Sequence, residues 1–166
     1  MFDARSVANF LLDYGDRTRQ RVTILKLLKI IFFAHGLHLA HRGHPLIRQK
    51  FEAWQLGPVV RVVYDCFKGS DAEILGRRAT RLDPVTGEVS IVHYAFDEST
   101  SDFLREVFDL YSRVDTFHLS NLTHQIGTPW ERVWNSVSND VHLGMRISDD
   151  AIKDYFLRQE KNTLFN

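Results

Sequence analysis

The sequence is poor in cysteine and contains no long apolar run. Cys66 is the single cysteine in 166 residues, which excludes an internal disulfide and favours a small buried side chain at this position. The longest unbroken apolar run, residues 30–34, is far shorter than the ~20 residues that cross a membrane. No secretory signal order is found at the N-terminus. These observations predict a cytoplasmic protein in a reducing compartment, with no membrane as its partner.

The chain also lacks a net charge, although its charges are unevenly placed. Residues 1–81 contain 14 basic and 7 acidic residues, whereas residues 82–166 contain 7 and 14. Either the two halves pack together, or one pole steers a partner of opposite charge. Two basic segments lack the interleaved aromatic residues and the helix-turn-helix of nucleic-acid-binding proteins, so we expect solvated loops and no specific nucleic acid. Their basic residues are Arg17, Arg19, Arg21, Arg77, Arg78 and Arg81.

Apolar residues dominate the segment from residue 24 to residue 40 and leave no polar face. A helix of this kind is buried on most sides. Thr23 is a suitable N-cap, and Gly43 with Pro45 ends the helix at about residue 42, since glycine suits a C-terminal cap and proline cannot continue the hydrogen bonds. The sequence therefore predicts a buried central helix.

Cap residues and side-chain periodicity predict the other elements. Pro58 suits a first helical turn, so a helix is expected over residues 58–68. Two alternating segments, residues 77–82 and 89–96, flank a turn that contains proline and glycine, which predicts a β-hairpin. Further helices are expected over residues 3–15, from Asp97 or Ser99 to about residue 113, over residues 117–125 (capped by Thr116), from Pro129 and from Ser148, before a frayed tail over residues 158–166.

Two blocks of sequence carry a family resemblance. The first contains Lys26-Leu27-Leu28-Lys29, Phe32-Phe33-Ala34-His35-Gly36-Leu37-His38-Leu39-Ala40, Gly43-His44-Pro45-Leu46, Glu52-Ala53-Trp54, Gly57-Pro58-Val59-Val60 and Tyr64. The second contains Leu119-Ser120-Asn121-Leu122-Thr123-His124, then Pro129-Trp130. In this order, the blocks resemble the Panacea domain, a SocA-like family of bacterial and phage antitoxins. The resemblance implies a protein that binds a co-encoded toxin.

Four histidines are spaced by three residues towards the end of the central helix. Neighbouring pairs are within reach of a shared metal ion, but successive steps of three precess by about 60° around a helix. No local carboxylate or cysteine completes a tetrahedral set, so no metal or other cofactor is expected. The alternative is a metal-dependent or hydrolytic enzyme that uses His35, His38 and the distant His124. The four histidines are His35, His38, His41 and His44.

A nucleophilic site is the second chemical alternative. It requires Cys66, Ser120 or Thr123 within hydrogen-bond reach of His124 as the base, yet no nucleophile elbow or other catalytic signature surrounds these residues. His124 is better explained at a helix end, where its imidazole can bond terminal carbonyls while Trp130 packs beneath it. No Walker or dinucleotide glycine pattern occurs, so nucleotide binding is not expected.

Aromatic residues and a Gly-Pro turn are the candidates for binding a partner. Core packing is the default for such residues, but tryptophan and tyrosine are also the usual interface anchors, and turns on rigid scaffolds often form binding surfaces. Both interpretations can hold together. The candidate partner-binding residues are Arg17, Arg19, Arg21, Trp54, Gly57, Pro58, Tyr64, His124, Pro129 and Trp130.

The sequence as a whole predicts one mainly α domain over residues 1–166, with about six to seven helices around a buried central helix and a small β-hairpin insertion. The resemblance implies a non-enzymatic antitoxin that neutralises its cognate toxin by direct binding, either by covering the active surface of the toxin or by presenting the toxin to a cellular protease. A nucleic-acid-binding regulator that uses the basic first half is a further alternative. The oligomeric state is left open.

Overall fold

A computed structural model of the chain describes residues 1–69, 73–74, 76–136 and 145–164, with the backbone alone for residues 160–164. Within these ranges the chain forms seven helices and five short strands, which confirms a mainly α fold with small β insertions. In chain order they are α1 (Ala4–Thr18), α2 (Ile24–Arg42), β1 (Phe51–Trp54), β2 (Gly57–Val59), α3 (Arg61–Phe67), β3 (Thr80–Leu82), β4 (Val89–Ile91), α4 (Glu98–Ser112), α5 (Thr116–His124), α6 (Pro129–Trp134), β5 (Arg146–Ile147) and α7 (Asp149–Leu164).

Helix α2 lies at the centre of the fold, as predicted. The Thr23 hydroxyl accepts a hydrogen bond from the Lys26 N–H, and Gly43 ends the helix with a φ of 75°. Five other helices, α1, α3, α4, α5 and α7, pack against α2. By length and composition alone α2 is apolar enough to cross a membrane, but 67 % of its most apolar window is buried inside this fold. A core helix has the same properties.

A three-stranded antiparallel sheet packs against α2, in the order β2-β1-β5. The predicted helix over residues 58–68 is wrong in its first turn, because β2 pairs with β1 in the register Trp54↔Gly57 and Glu52↔Val59. Only the segment after Val60 is helical. The sheet was not predicted, since β1 must also pair with β5, which lies far along the chain.

The C-terminal helix α7 packs directly on α2. A Cβ atom on Gly36 of α2 would overlap the ring of Phe156, so the two helices approach closely where α2 has no side chain. The Ser148 hydroxyl accepts from the Ala151 N–H, which confirms the predicted start of this helix. The predicted frayed tail is wrong up to Leu164, because α7 continues that far; residues 165–166 lie outside the described ranges.

Helix α1 continues one turn beyond its predicted end at Gly15. Gly15 lies inside the helix, where an added Cβ would meet the Gln20 carbonyl oxygen at 2.6 Å and the Phe108 ring at 2.9 Å. Arg19, in the left-handed region with a φ of 58°, ends the helix instead. The glycine therefore permits close packing against α4.

The predicted hairpin is present, with β3 and β4 shorter than expected. Helix α4 begins after its cap Asp97, as predicted. Helix α5 is capped by Asp115 rather than by Thr116, since the Asp115 carboxylate accepts from the N–H groups of Phe117 and His118. Pro129 occupies the first turn of α6, as predicted.

Candidate interaction surface

The aromatic pair Trp54 and Tyr64 forms a surface that we call the Trp54 face, defined by Trp54, Leu56, Tyr64 and the start of α2. The two rings meet edge to face, with 4.8 Å between their centroids. The Arg61 guanidinium lies 5.2 Å from the Trp54 ring centroid, and the Trp54 Nε1–H donates to Glu52 Oε2 at 2.9 Å. Arg61 also forms an ion pair with Glu52, so the two side chains that contact the Trp54 ring are bound to each other at the surface.

An apolar cavity of about 260 Å³ lies beside the Trp54 ring. The side chain of Leu56 is 55 % exposed at its rim, while Trp54 and Tyr64 are half-buried. The turn between β1 and β2 therefore presents apolar side chains to solvent beside this cavity. The lining residues are Ile24, Leu25, Leu28, Trp54, Gln55, Leu56, Val59 and Tyr64.

Side chains of α5 and α6 donate hydrogen bonds to the backbone of the turn between β1 and β2. The Trp130 Nε1–H donates to the Trp54 carbonyl at 2.8 Å, and the Ser120 hydroxyl donates to the Leu56 carbonyl at 3.0 Å. The His124 and Trp130 rings pack with 3.9 Å between centroids, as the sequence predicted. Trp130 and Pro129 are buried, so they position the exposed residues rather than offer area of their own.

Gly57 and Pro58 are buried beneath the Trp54 face, next to the side chain of Lys29. Gly57 has a φ of 101°, and a Cβ there would collide with the Lys29 Nζ and with Thr123 Oγ1. Lys29 is fully buried, and its Nζ donates to the Pro58 carbonyl at 3.4 Å. Burial lowers the pKa of the Lys29 ammonium to about 7. Lys29 belongs to the first block of the family resemblance, but its burial in this otherwise apolar helix was not predicted.

His124 lies close to this buried amine. Its Nε2 is buried and has no hydrogen-bond partner among the described residues, so the predicted bond to a helix-terminal carbonyl is not found there. Burial, and then the charge of Lys29, lower the pKa of His124. A neutral imidazole is therefore favoured beneath the surface.

The histidines of α2 have separate structural partners. His35 is buried, donates from Nε2 to Asp149 at 3.3 Å, and accepts from the Ile47 N–H at 3.4 Å. His38 Nδ1 donates to the His44 carbonyl at 2.8 Å, and burial lowers the pKa of His38 to about 4. No group of three or more possible metal ligands occurs among the described residues. His35 therefore joins α2 to α7.

The candidate nucleophiles are engaged with backbone carbonyls. The Thr123 hydroxyl donates to the Ser120 carbonyl at 2.7 Å, and the Cys66 thiol, which is half-buried, donates to the Val62 carbonyl at 3.2 Å. Ser120 binds the Leu56 carbonyl, as described above. Within the described ranges, none of these groups is hydrogen-bonded to His124, so no nucleophile and base are assembled.

None of the arginines of the two basic segments lines the cavity of the Trp54 face. Arg19 and Arg21 line a shallow cleft of about 730 Å³ with Asp16 and Glu73, and Arg17 is exposed near the end of α1. In the second segment Arg78 is paired with two aspartates of α1, so its charge is already neutralised. The structure thus groups Trp54, Gly57, Pro58, Tyr64, His124, Pro129 and Trp130, whereas Arg19 and Arg21 line a different cleft and Arg17 is exposed near the end of α1.

Comparison with known proteins points to one family. Residues 27–131 match the family model described as "Antitoxin SocA-like, Panacea domain". The chain is 36 % identical to "Antitoxin SocA" from Caulobacter vibrioides over 158 residues, which cover 95 % of this chain and 84 % of that protein. No solved structure matches the chain.

Proposed function

Because the chain belongs to the SocA-like Panacea antitoxin family, we propose that it neutralises a toxin protein encoded beside it by binding that toxin directly in the cytoplasm. The observation that carries this proposal is the 36 % identity to an antitoxin over nearly the whole chain. The absence of an assembled nucleophile and base among the described residues favours binding over catalysis.

The Trp54 face is the surface that best suits this role. It combines an exposed leucine, two half-buried aromatic rings and an apolar cavity, which are the features of an interface centre. Its backbone is fixed by hydrogen bonds from α5 and α6, so little conformational entropy is lost on binding. Toxin binding at this face either covers the active surface of the toxin or holds it for a protease.

Co-expression with the neighbouring gene tests the function. We expect this chain to relieve the growth arrest caused by that gene and to co-purify with its product. Leu56→Asp should abolish both effects, because it places a charge in the interface centre. Leu110→Asp is the matched control, since Leu110 is equally exposed, at 61 %, on α4. Rescue without co-purification and without toxin degradation would contradict neutralisation by binding.

Trp54→Ala separates packing from recognition. Trp54 is half-buried, so we expect its loss to lower the free energy of unfolding by about 1 to 3 kcal/mol, less than a fully buried aromatic residue costs. Toxin binding should fall further than this loss of stability explains, as measured by calorimetry at a temperature where the variant is folded. Unchanged binding would remove Trp54 from the interface.

The lifetime of the toxin distinguishes the two mechanisms. If the antitoxin presents the toxin to a protease, the half-life of the toxin in a pulse-chase experiment should shorten when the antitoxin is present. If the antitoxin covers the active surface, the toxin should be equally long-lived and inactive.

A further inference from the structure

A second surface lies along β4, on the side of the molecule that carries the N-terminus. Exposure alternates from residue to residue between Ile91 and Phe96, with Val92, Tyr94 and Phe96 half-buried and the residues between them exposed. Tyr94 and Phe96 pack on the Phe10 ring of α1. This period of two is typical of an extended strand, so the segment after β4 continues the strand direction.

One edge of this extended segment is open. Val92 N–H donates to the Ala79 carbonyl, and Ile91 lies opposite Thr80, so Ile91 occupies a non-hydrogen-bonded position of the hairpin. The N–H and C=O groups of Ile91 and His93 therefore point away from β3. Within the described ranges, β3 is the single strand that pairs with β4.

β4 is three residues long, but its open edge lacks the residue types that usually discourage strand addition. Proteins protect an edge with lysine, proline, bulges or covering segments, but residues 89–96 contain no lysine, proline or glycine. One face of the hairpin also exposes Leu82 by 60 %, Val89 by 62 % and Ile91 by 50 %. A two-stranded hairpin with an uncovered apolar face gains stability from a third strand.

A groove of about 530 Å³ runs beside residues 90–96, and its other wall contains the N-terminal residues and Arg48. Phe2 and Phe96 meet at 4.6 Å at its apolar end. The groove carries net positive charge, because Arg5 and Arg48 share the single carboxylate of Asp3 and Arg81 also lines the groove. Although burial opposes it, hydrogen bonds from Arg5 and Arg48 hold the pKa of Asp3 well below its ordinary range, so this acid is already paired.

The positions of these charges select the sequence of a third strand. Arg81 lies opposite Ser90, on the face that turns towards the groove, and the serine is short. Neighbouring strands are about 4.8 Å apart, so a strand added beside β4 lies two such spacings from β3. The long arginine side chain can extend over the short serine and reach a side chain on the added strand. On the other face, Val89 and Ile91 would contact apolar side chains.

We propose that the open edge of β4 binds an extended segment of another polypeptide in which acidic and apolar residues alternate. Backbone hydrogen bonds to Ile91 and His93 supply affinity, while Arg81 and the apolar face supply specificity. A second copy of this chain fits poorly, because pairing of two β4 edges places the arginines of both copies on one small sheet. This surface is distinct from the Trp54 face, so the proposal does not depend on the identity of the toxin.

Selection from a phage-displayed library of random peptides on the immobilised full chain tests the proposal. We expect enriched peptides that alternate acidic and apolar residues and bind with micromolar affinity in fluorescence anisotropy. In hydrogen exchange, bound peptide should slow the Ile91 and His93 amides while the Val92 amide, already bonded to Ala79, changes little.

Two pairs of variants separate the parts of the interaction. Ile91→Pro removes an outward N–H without breaking the hairpin, so it should abolish binding, whereas Ile91→Ala keeps the N–H and should retain measurable affinity. Arg81→Glu should weaken binding by about tenfold, more at low salt than at high salt. Arg19→Glu makes the same change of charge on another cleft and should have no effect.

Three results would overturn the proposal. The first is a selection that yields no alternating acidic and apolar pattern. The second is equal binding of the selected peptides to Ile91→Pro and to the unmodified chain, with circular dichroism showing that both are folded. The third is a dimer in analytical ultracentrifugation that Ile91→Pro dissociates, since the edge would then be occupied by a second copy.

Discussion

Lys29 carries an amine in the apolar core of the protein. It lies in the central helix, fully buried, and contacts the backbone of the turn that carries the Trp54 face. A buried ammonium without a paired carboxylate is costly, so burial lowers the pKa of Lys29 to about 7 and favours the neutral amine above that pH. The group that titrates is the one that donates a hydrogen bond to the Pro58 carbonyl in the turn.

Lys29→Met should change the dependence of stability on pH. The pKa of Lys29 is lowered from 10.5 to about 7 on folding, so the unfolded chain binds more protons between these two pH values. The free energy of unfolding should therefore rise with pH above 7, by at most roughly 1.4 kcal/mol per pH unit from this group. Subtracting the values for Lys29→Met should isolate this rise in urea titrations from pH 7 to 9.5.

Lys68→Met is the control for that experiment, because Lys68 is exposed and paired with Asp65. At pH 7 we expect Lys29→Met to be as stable as the unmodified chain or more stable, since methionine fills a similar volume without a buried charge. A difference between the chain and Lys29→Met that does not vary with pH would show that Lys29 is charged in the folded protein.

At the scale of elements, the contact between α2 and α7 depends on Gly36, which has no side chain. Gly36 lets the Phe156 ring lie against the backbone of α2, and His35 is hydrogen-bonded to Asp149 at the start of α7. Lys50 also pairs with Asp149, and although burial opposes this effect, the His35 hydrogen bond holds the pKa of Asp149 low. Packing and polar contacts therefore fix the same pair of helices.

Gly36→Ala should destabilise the protein by about 1 to 3 kcal/mol, because the added methyl overlaps the Phe156 ring in a packed core. In a Phe156→Leu background the same substitution should cost less, since the smaller side chain leaves room. Urea unfolding of the four proteins gives the coupling energy between the two positions. Additive effects would show that the added methyl and the Phe156 ring do not compete for the same space, because the two helices move apart.

At the scale of the whole molecule, the uneven charge is a candidate for steering a partner. Arg17, Arg19 and Arg21 are exposed together at the end of α1 and beyond it, in the basic half of the chain. Exposed charges of this kind change association rates more than dissociation rates, and salt screens their effect. None of the three arginines lines the cavity of the Trp54 face, which agrees with a role in encounter rather than in the bound interface.

Reversing all three arginines to glutamate should slow association with the toxin by roughly tenfold at low salt and leave dissociation nearly unchanged. Surface plasmon resonance separates the two rates. Reversal of three exposed arginines of the acidic half is the matched control for net charge: Arg113, Arg132 and Arg158. Equal slowing by both variants would assign the effect to total charge, and an unchanged association rate would exclude steering.

The sequence by itself determined the elements whose signals are local. Thr23 and Gly43 give the ends of α2, Pro129 gives the start of α6, and the turn after residue 82 gives the hairpin. Caps, proline and glycine act on neighbouring residues through backbone geometry, so they can be recognised without the fold. The family was also determined at this level, because its two blocks follow one another along the chain.

Only the tertiary structure determined which segments far apart in sequence pair and pack together. Gly57 and Pro58 look like the start of a helix, yet they form a strand because β1 lies beside them and Trp130 binds the Trp54 carbonyl. The burial of Lys29 and the open edge of β4 depend in the same way on which segments pack together. Such pairings join residues far apart in sequence, and local propensities are too weak to outweigh them.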